Sequence, residues 1–131
     1  MWAVDHHTAD VRVRVAAATL EELFADAVRG LTEVMHPAGA GAPAAAEIEL
    51  DALDATALLV DFLNEVLTRS HIEHAAFAEA RFASLTETAL RATIWGARVE
   101  GFEEDVKSVT YHEARVVRDG GAWRVTLVLD I

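Results

Sequence analysis

The side chains best suited to chemistry stand near the two ends of the sequence. Residues 6–10, His-His-Thr-Ala-Asp, place two imidazoles, a hydroxyl and the Asp10 carboxylate within five positions. The far end closes with Asp130 and Ile131. If folding brings these ends together, two aspartates and a terminal carboxylate repel one another, and a hard divalent cation relieves that repulsion. The alternative is that Asp10 caps a turn and Asp130 lies in solvent.

The composition limits the metal sites and partners that the chain supports. There is no cysteine, so disulfides and thiolate sites are excluded, and any metal must be held by oxygen or imidazole. Acidic side chains number 22 against 11 basic ones, for a formal net charge of −11. Because sequence-independent nucleic-acid binding depends mainly on basic side chains, we expect little direct binding of RNA or DNA. Cations and basic protein partners are the natural counterparts.

No stretch of the sequence predicts a membrane span or a secretion signal. The apolar runs are only a few residues long, whereas a helix needs roughly 20 to cross a bilayer. The opening residues lack the basic flank and the long apolar core of a signal peptide. We therefore expect a cytoplasmic protein without a membrane anchor.

A strand and a helix are predicted to follow the first polar stretch. Residues 11–15 alternate valine with arginine, which predicts a strand with one buried face. Apolar residues then recur every three or four positions over 20–35 and predict a helix of about four turns. Thr19 and Glu22 fit a capping box at the start of this helix. Pro37 is predicted to end it.

The remaining elements predict an α+β fold. Residues 36–46 are expected to form a loop and 47–51 a short strand, after which Asp54 caps a second helix. Four more strands are predicted, at 77–85, 88–95, 106–118 and 122–131, with an acidic loop at 96–105 and a hairpin turn at 119–121. We predict a single domain over 1–131, with two helices packed on one face of a mostly antiparallel sheet.

Several polar residues have simple structural explanations. His71 and His74 have helical metal-ligand spacing, but histidine near a helix C-terminus also interacts favourably with the dipole, and we favour that interpretation. Tyr111 and His112 are interpreted as strand residues with satisfied polar tips. The capping box accounts for Glu22 without any further function.

Five blocks of the sequence, in matching order and spacing, resemble the archease family. They are His-Thr-Ala-Asp-Val at 7–11, Thr-Leu-Glu-Glu at 19–22, Leu-Leu-Val-Asp-Phe-Leu-Asn-Glu at 58–65, Val-Lys-Ser-Val-Thr-Tyr-His at 106–112, and Trp123 with Leu-Asp-Ile at 129–131. The resemblance covers nearly the whole chain. It implies a layer of helices on a sheet and a bound divalent metal.

The resemblance also implies which residues hold the metal. Asp10 and Asp130 fall on the family's metal-binding aspartates, and the Ile131 carboxylate falls on its third oxygen ligand. Ca²⁺ is the expected ion, with Mg²⁺ and Mn²⁺ as alternatives. His7 matches the motif either as a ligand or as a residue that orients one. His6 departs from the family pattern, because many relatives have Asp or another residue there.

Two further positions are implied to act on a partner. Archeases are small accessory proteins that activate the RtcB-type RNA ligase, which joins RNA ends in a GTP- and manganese-dependent reaction. Glu22 and Lys107 fall on polar positions that the family uses in this activation. A cation at Lys107 would contact the nucleotide phosphate or an acidic patch on the ligase.

The expected function is therefore that of an accessory factor, not of an enzyme. It would promote guanylylation of the ligase histidine and multiple turnover in tRNA splicing and RNA repair. A chaperone-like role toward an RNA-processing enzyme, such as a tRNA methyltransferase, is also proposed for this family. The residues alone further allow a metal-dependent hydrolase built on Asp10 and Asp130, although no separate general base or nucleophile stands out.

Overall fold

The computed structural model describes residues 1–6 and 10–131. Within this part of the chain there are two α-helices, α1 (Leu20–Met35) and α2 (Ala55–Glu73). Ten strands accompany them: β1 (Trp2–His6), β2 (Asp10–Ala17), β3 (Pro37–Ala38), β4 (Pro43–Asp51), β5 (Ala75–Leu85), β6 (Ala89–Arg98), β7 (Gly101–Phe102), β8 (Ser108–Thr110), β9 (Val117–Asp119) and β10 (Ala122–Asp130).

The first sheet is an antiparallel array in the order β1-β2-β10-β8, and β9 also pairs with β10. Strand β2 lies beside β10 over its whole length, with Val11 opposite Leu129 and Val15 opposite Val125. These apolar residues are buried and face the helices. Because side chains alternate along a strand, the polar residues between them, Arg12 among them, point to the outer face.

The second sheet has the order β4-β6-β5, and β3 pairs with β7 as a short separate ribbon. Strand β5 carries a register shift between Ala76 and Glu79. At this irregularity Gly96 of β6 comes so close that a Cβ atom on it would lie 1.8 Å from the Ala76 carbonyl oxygen. Only glycine permits this approach of the two backbones.

Both helices begin at the caps that the sequence predicts. The Thr19 hydroxyl accepts a hydrogen bond from the Glu22 amide at 3.1 Å, and the Asp54 carboxylate accepts one from the Ala57 amide at 2.8 Å. Each helix ends at a histidine in the left-handed conformation, His36 with φ 53° and His74 with φ 51°. Neither helix in the described part of the chain is long and apolar enough to cross a bilayer.

The helices cover the inner faces of both main sheets. Helix α1 packs on β2 and β5, and α2 packs on β4, β5 and β8. At their junction the Phe24 ring stacks with Phe62 at 6.1 Å, and Phe82 meets both rings from the second sheet at 6.0 and 5.6 Å. These rings belong to one continuous apolar core that joins the two sheets and both helices. This core fixes the positions of the two chain ends relative to each other.

The α+β class, the two helices and their packing on antiparallel strands are confirmed, while several strand boundaries differ. Strand β1 lies in a stretch for which no strand is predicted, and β4 begins at Pro43 within the predicted loop 36–46. The alanines of β4 have low strand propensity, but Ala44, Ala45 and Ala46 pair with Gly96, Trp95 and Ile94 of β6. The predicted strand 106–118 is wrong in its middle, because within this range only the segments at its two ends, β8 and β9, pair with β10.

Candidate functional site

The two polar ends of the sequence meet at one corner of the first sheet. Asp10 and Asp130 are cross-strand partners in the pairing of β2 with β10. Directly opposed side chains in such a pair have Cβ atoms about 5 Å apart. The neighbouring pair, Val11 and Leu129, is buried on the inner face, so alternation puts both carboxylates on the outer face.

Lys107 lies beside this pair of aspartates. Its backbone N–H donates to the carbonyl oxygen of Asp130 at 2.7 Å, and the next residue, Ser108, is the β8 partner of Asp130. The Lys107 side chain is exposed. The structure thus brings together three of the predicted site residues, Asp10, Asp130 and Lys107.

Arg12 is already in contact with the Asp10 carboxylate. Its Nη1 lies 3.1 Å from Asp10 Oδ1, while Nε and Nη2 donate to Glu113 Oε2 at 3.1 and 2.9 Å. The Asp10 side chain keeps 32% of its exposure and Arg12 keeps 27%. The guanidinium therefore offsets part of the charge repulsion between Asp10 and Asp130, and leaves Asp130 for another cation.

Asn64 fixes β8, the strand that begins directly after Lys107. Its amide nitrogen donates to the carbonyl oxygen of Val109 at 2.8 Å, and its amide oxygen accepts from the Val109 N–H at 2.9 Å. The side chain thereby satisfies both backbone groups of Val109, as a neighbouring strand would. The sequence gives one indication of this role, the occurrence of Asn64 within the block 58–65.

Helix α2 also holds Tyr111, through a residue one turn before Asn64. Its hydroxyl donates to the Asp61 carboxylate, so its polar tip is satisfied as expected, but Tyr111 and His112 lie in a turn after β8 and not in a strand. This hydrogen bond, together with burial and the negative charge of Asp61, raises the pKa of Tyr111 above its ordinary value of 10.0. Asp61 and Asn64 thus anchor residues 108–111 to α2.

Glu22 lies far from the aspartate pair. It stands in the first turn of α1, after the Ala17 end of β2, whereas Asp10 is at the opposite end of that strand. Seven residue steps of about 3.3 Å separate the two ends by roughly 23 Å. Its backbone N–H donates to the Thr19 hydroxyl, which caps the helix, and its side chain is exposed. A role for Glu22 would therefore use a different surface.

The histidines have separate positions. His7 lies outside the described residues. His71 has its Nε2 3.5 Å from the Val106 carbonyl oxygen and meets Phe102 edge-on, while His74 is the left-handed cap of α2. Packing accounts for His71 and backbone capping for His74, while their interaction with the helix dipole stays a prediction.

The described residues supply a partial oxygen donor set for a metal. Across residues 1–6 and 10–131, no group of three or more histidine, aspartate and glutamate side chains is arranged to hold an ion. Asp10 and Asp130 supply two carboxylates, and Ile131 follows Asp130 directly as the last residue. Such all-oxygen donors suit Ca²⁺, Mg²⁺ or Mn²⁺, and water would complete the coordination shell.

Comparison with known proteins identifies relatives that match along the full chain. The model of the Archease protein family matches residues 2–131. The archease of Methanopyrus kandleri is 32% identical, with 99% of both chains covered. That of Thermococcus gammatolerans is 34% identical over 99% of this chain and 98% of its own.

Two solved structures share the fold. An archease from Thermotoga maritima, described as a possible chaperone, superposes with a TM-score of 0.73 at 20% identity, covering 100% of this chain and 98% of its own. Protein 1598 of Methanobacterium thermoautotrophicum superposes with a TM-score of 0.71 at 24% identity, covering 99% and 98%. Together with the family match over almost every residue, these similarities establish that the chain belongs to the Archease family.

Proposed function

We propose that this chain is an accessory factor that activates an RtcB-type RNA ligase. The proposal rests on one observation: Asp10 and Asp130 oppose each other on the outer face, with Lys107 bonded to the Asp130 backbone. Family membership supports an accessory role over a catalytic one, since the T. maritima relative is described as a possible chaperone. The guanylylation step and the RNA substrates belong to the ligase, in a cytoplasmic setting.

A divalent cation is proposed at the aspartate pair. Like charges directly opposite each other on neighbouring strands are destabilising, and Arg12 contacts only Asp10 of the two. Asp130 and Asp10, with the Ile131 carboxylate as the third ligand, would hold Ca²⁺, or alternatively Mg²⁺ or Mn²⁺. The ion would supply positive charge on an acidic surface and fix the two chain ends relative to each other.

Lys107 is proposed to make the contact with the ligase or its nucleotide. It is exposed beside Asp130, and Asn64 holds the following strand, β8, in place through Val109. A lysine is a compact point charge that suits phosphate or carboxylate. Glu22, at the other end of β2, is proposed as a separate contact with the same partner.

Ligation by the cognate RtcB-type enzyme, with substrate RNA in excess, tests the proposal. We expect the ligase alone to complete about one turnover, and many turnovers when this protein is added. Asp10→Ala and Lys107→Ala are expected to abolish the gain. Asp51→Ala is a matched control, because Asp51 is an exposed carboxylate on the second sheet. Unchanged turnover with the folded protein would exclude ligase activation.

The alternative function is that of a chaperone for an RNA-processing enzyme such as a tRNA methyltransferase. The description of the T. maritima neighbour favours this second candidate. A chaperone would raise the soluble yield of its partner without changing the rate per folded partner molecule. Measuring both quantities in the same preparation separates the two functions.

A further inference from the structure

A second charged surface lies on the outer face of the first sheet, away from the aspartate pair. It is a groove of about 230 Å³, lined mainly by Arg14, Glu113, Arg115, Val117, Arg124 and Thr126. We call it the arginine groove. Its lining has three basic side chains and one acidic one, whereas the whole chain has 11 basic and 22 acidic side chains.

Strand register brings these residues together. Arg14 of β2 lies opposite Thr126 of β10, and Arg124 of β10 lies opposite Val117 of β9. Since Val15 and Val125 are buried on the inner face, alternation places the arginines on the outer one. Arg115 precedes β9 in a segment anchored by the Val116 N–H, which donates to Thr56 Oγ1 at 2.9 Å.

Two of the three arginines keep their charge uncompensated. Arg14 pairs with Asp5 at 2.6 Å, and the Glu113 carboxylate pairs with Arg12 at 2.9 Å. Among the described residues, Arg115 and Arg124 have no ion pair or side-chain hydrogen bond within the fold, and both are exposed. The groove therefore presents two guanidiniums toward solvent.

The chemistry of the groove favours a carboxylate-bearing protein segment. Guanidinium forks bind carboxylates in a bidentate manner. Val117, at 37% exposure, adds an apolar contact beside them, and arginine next to apolar surface is typical of protein interfaces. Within the described part of the chain β9 pairs only with β10, so an extended segment has access to its other edge.

A nucleic acid fits this surface less well. The two free guanidiniums form a short positive region on a chain of net charge −11, and a long phosphate backbone would reach beyond it. We propose that the arginine groove is a docking site for an acidic, extended segment of a protein partner. The inference does not depend on the proposed ligase activation, because a model peptide is sufficient to test it.

The test uses a fluorescein-labelled peptide of alternating glutamate and valine, with a peptide of alternating glutamine and valine as its uncharged control. Binding is measured by anisotropy, and the contact surface by NMR of the backbone amides of Val117, Arg124 and Thr126. The Arg115→Gln, Arg124→Gln double variant removes the two free charges. The matched control is Arg81→Gln, Arg91→Gln, which removes two exposed arginines from the second sheet.

We expect saturable binding of the glutamate peptide at the three amides. Its affinity should fall about tenfold or more in the groove variant and by less than about twofold in the control variant. Equal affinity in the two variants, or equal binding of the uncharged peptide, would overturn the proposal. A 5′-phosphorylated oligonucleotide of the same charge that binds more tightly at these amides would instead make the groove a nucleic-acid surface.

Discussion

The side-chain amide of Asn64 and the backbone of Val109 form a reciprocal pair of hydrogen bonds, at 2.8 and 2.9 Å, between α2 and β8. Val109 is buried, so its backbone N–H and C=O depend on this side chain for hydrogen-bond partners. On its other side β8 pairs with β10 at Asp130. A helix residue thus determines where the backbone beside the candidate site lies.

Replacing Asn64 with leucine is expected to destabilise the fold by about 1–3 kcal/mol, because it leaves a buried N–H and C=O of Val109 without partners. Urea denaturation followed by circular dichroism measures the loss. Thr68→Leu, at an exposed position on the same helix, should cost little. Equal losses in the two variants would show that the Asn64 bonds contribute nothing specific.

Removal of the Asp130 carboxylate tests the proposed cation site directly. In calorimetric titration with Ca²⁺, Asp130→Ala should abolish tight binding while the circular dichroism spectrum stays the same, because Asp130 is exposed at the strand end. Residues appended after Ile131 should weaken the affinity by removing the terminal carboxylate. Full affinity in both proteins would refute the ligand assignment; Asp51→Ala serves as the charge-matched control.

Arg12 competes with a cation for the Asp10 carboxylate, which it contacts at 3.1 Å. Arg12→Gln should therefore tighten Ca²⁺ binding, since a unit charge a few ångströms away is worth roughly 1 kcal/mol, or about fivefold in affinity, at a partly exposed site. Arg14→Gln is the control on the same face, because Arg14 pairs with Asp5 instead. Weaker binding in Arg12→Gln would mean that Arg12 supports the site.

Tyr111 is the single tyrosine of the chain, so its ionisation can be followed alone by ultraviolet absorbance. The hydrogen bond to Asp61 raises its pKa above 10.0 in the folded state. The bond therefore stabilises the fold at pH values below the pKa of the phenol in the unfolded chain. This contribution disappears as the pH rises through the pKa of Tyr111 in the folded protein. Because Tyr111 is 57% exposed, the contribution to stability is small.

The titration midpoint is expected to fall toward 10 in Asp61→Ala. Glu65→Ala removes an equal charge one turn further along the helix, where the carboxylate pairs with Arg69, and should leave the midpoint unchanged. If both variants shift the midpoint equally, the cause is the general field of the acidic chain and not the hydrogen bond.

His74 closes α2 with a backbone conformation that favours glycine, φ 51°. His74→Gly should stabilise the protein by about 0.5–1 kcal/mol, because relief of the left-handed strain exceeds the added entropy of the unfolded chain. Glu73→Gly, at the last helical residue, should destabilise it by a similar amount. Thermal denaturation distinguishes the two directions, and a lower melting temperature for His74→Gly would contradict the strain argument.

Local chemistry in the sequence was enough to predict the class of fold, both helices with their caps at Thr19 and Asp54, and the hairpin at 119–121. These features depend on residues within a few positions of one another: hydrophobic periodicity, a capping side chain, and two glycines with positive φ. The proximity of the two chain ends was also predicted, with the family resemblance as support, and the pairing of Asp10 with Asp130 agrees with it.

Contacts between residues distant in the sequence determined the features that the sequence did not predict. Tyr111 bonds to Asp61 and Val116 to Thr56, so side chains of α2 hold the segment between β8 and β9 and interrupt the predicted strand at 106–118. The separation of Glu22 from the aspartates follows from the length of β2, whose two ends are roughly 23 Å apart. The arginine groove likewise depends on the register of three strands, which no local pattern in the sequence encodes, because register is set by partners distant in the chain.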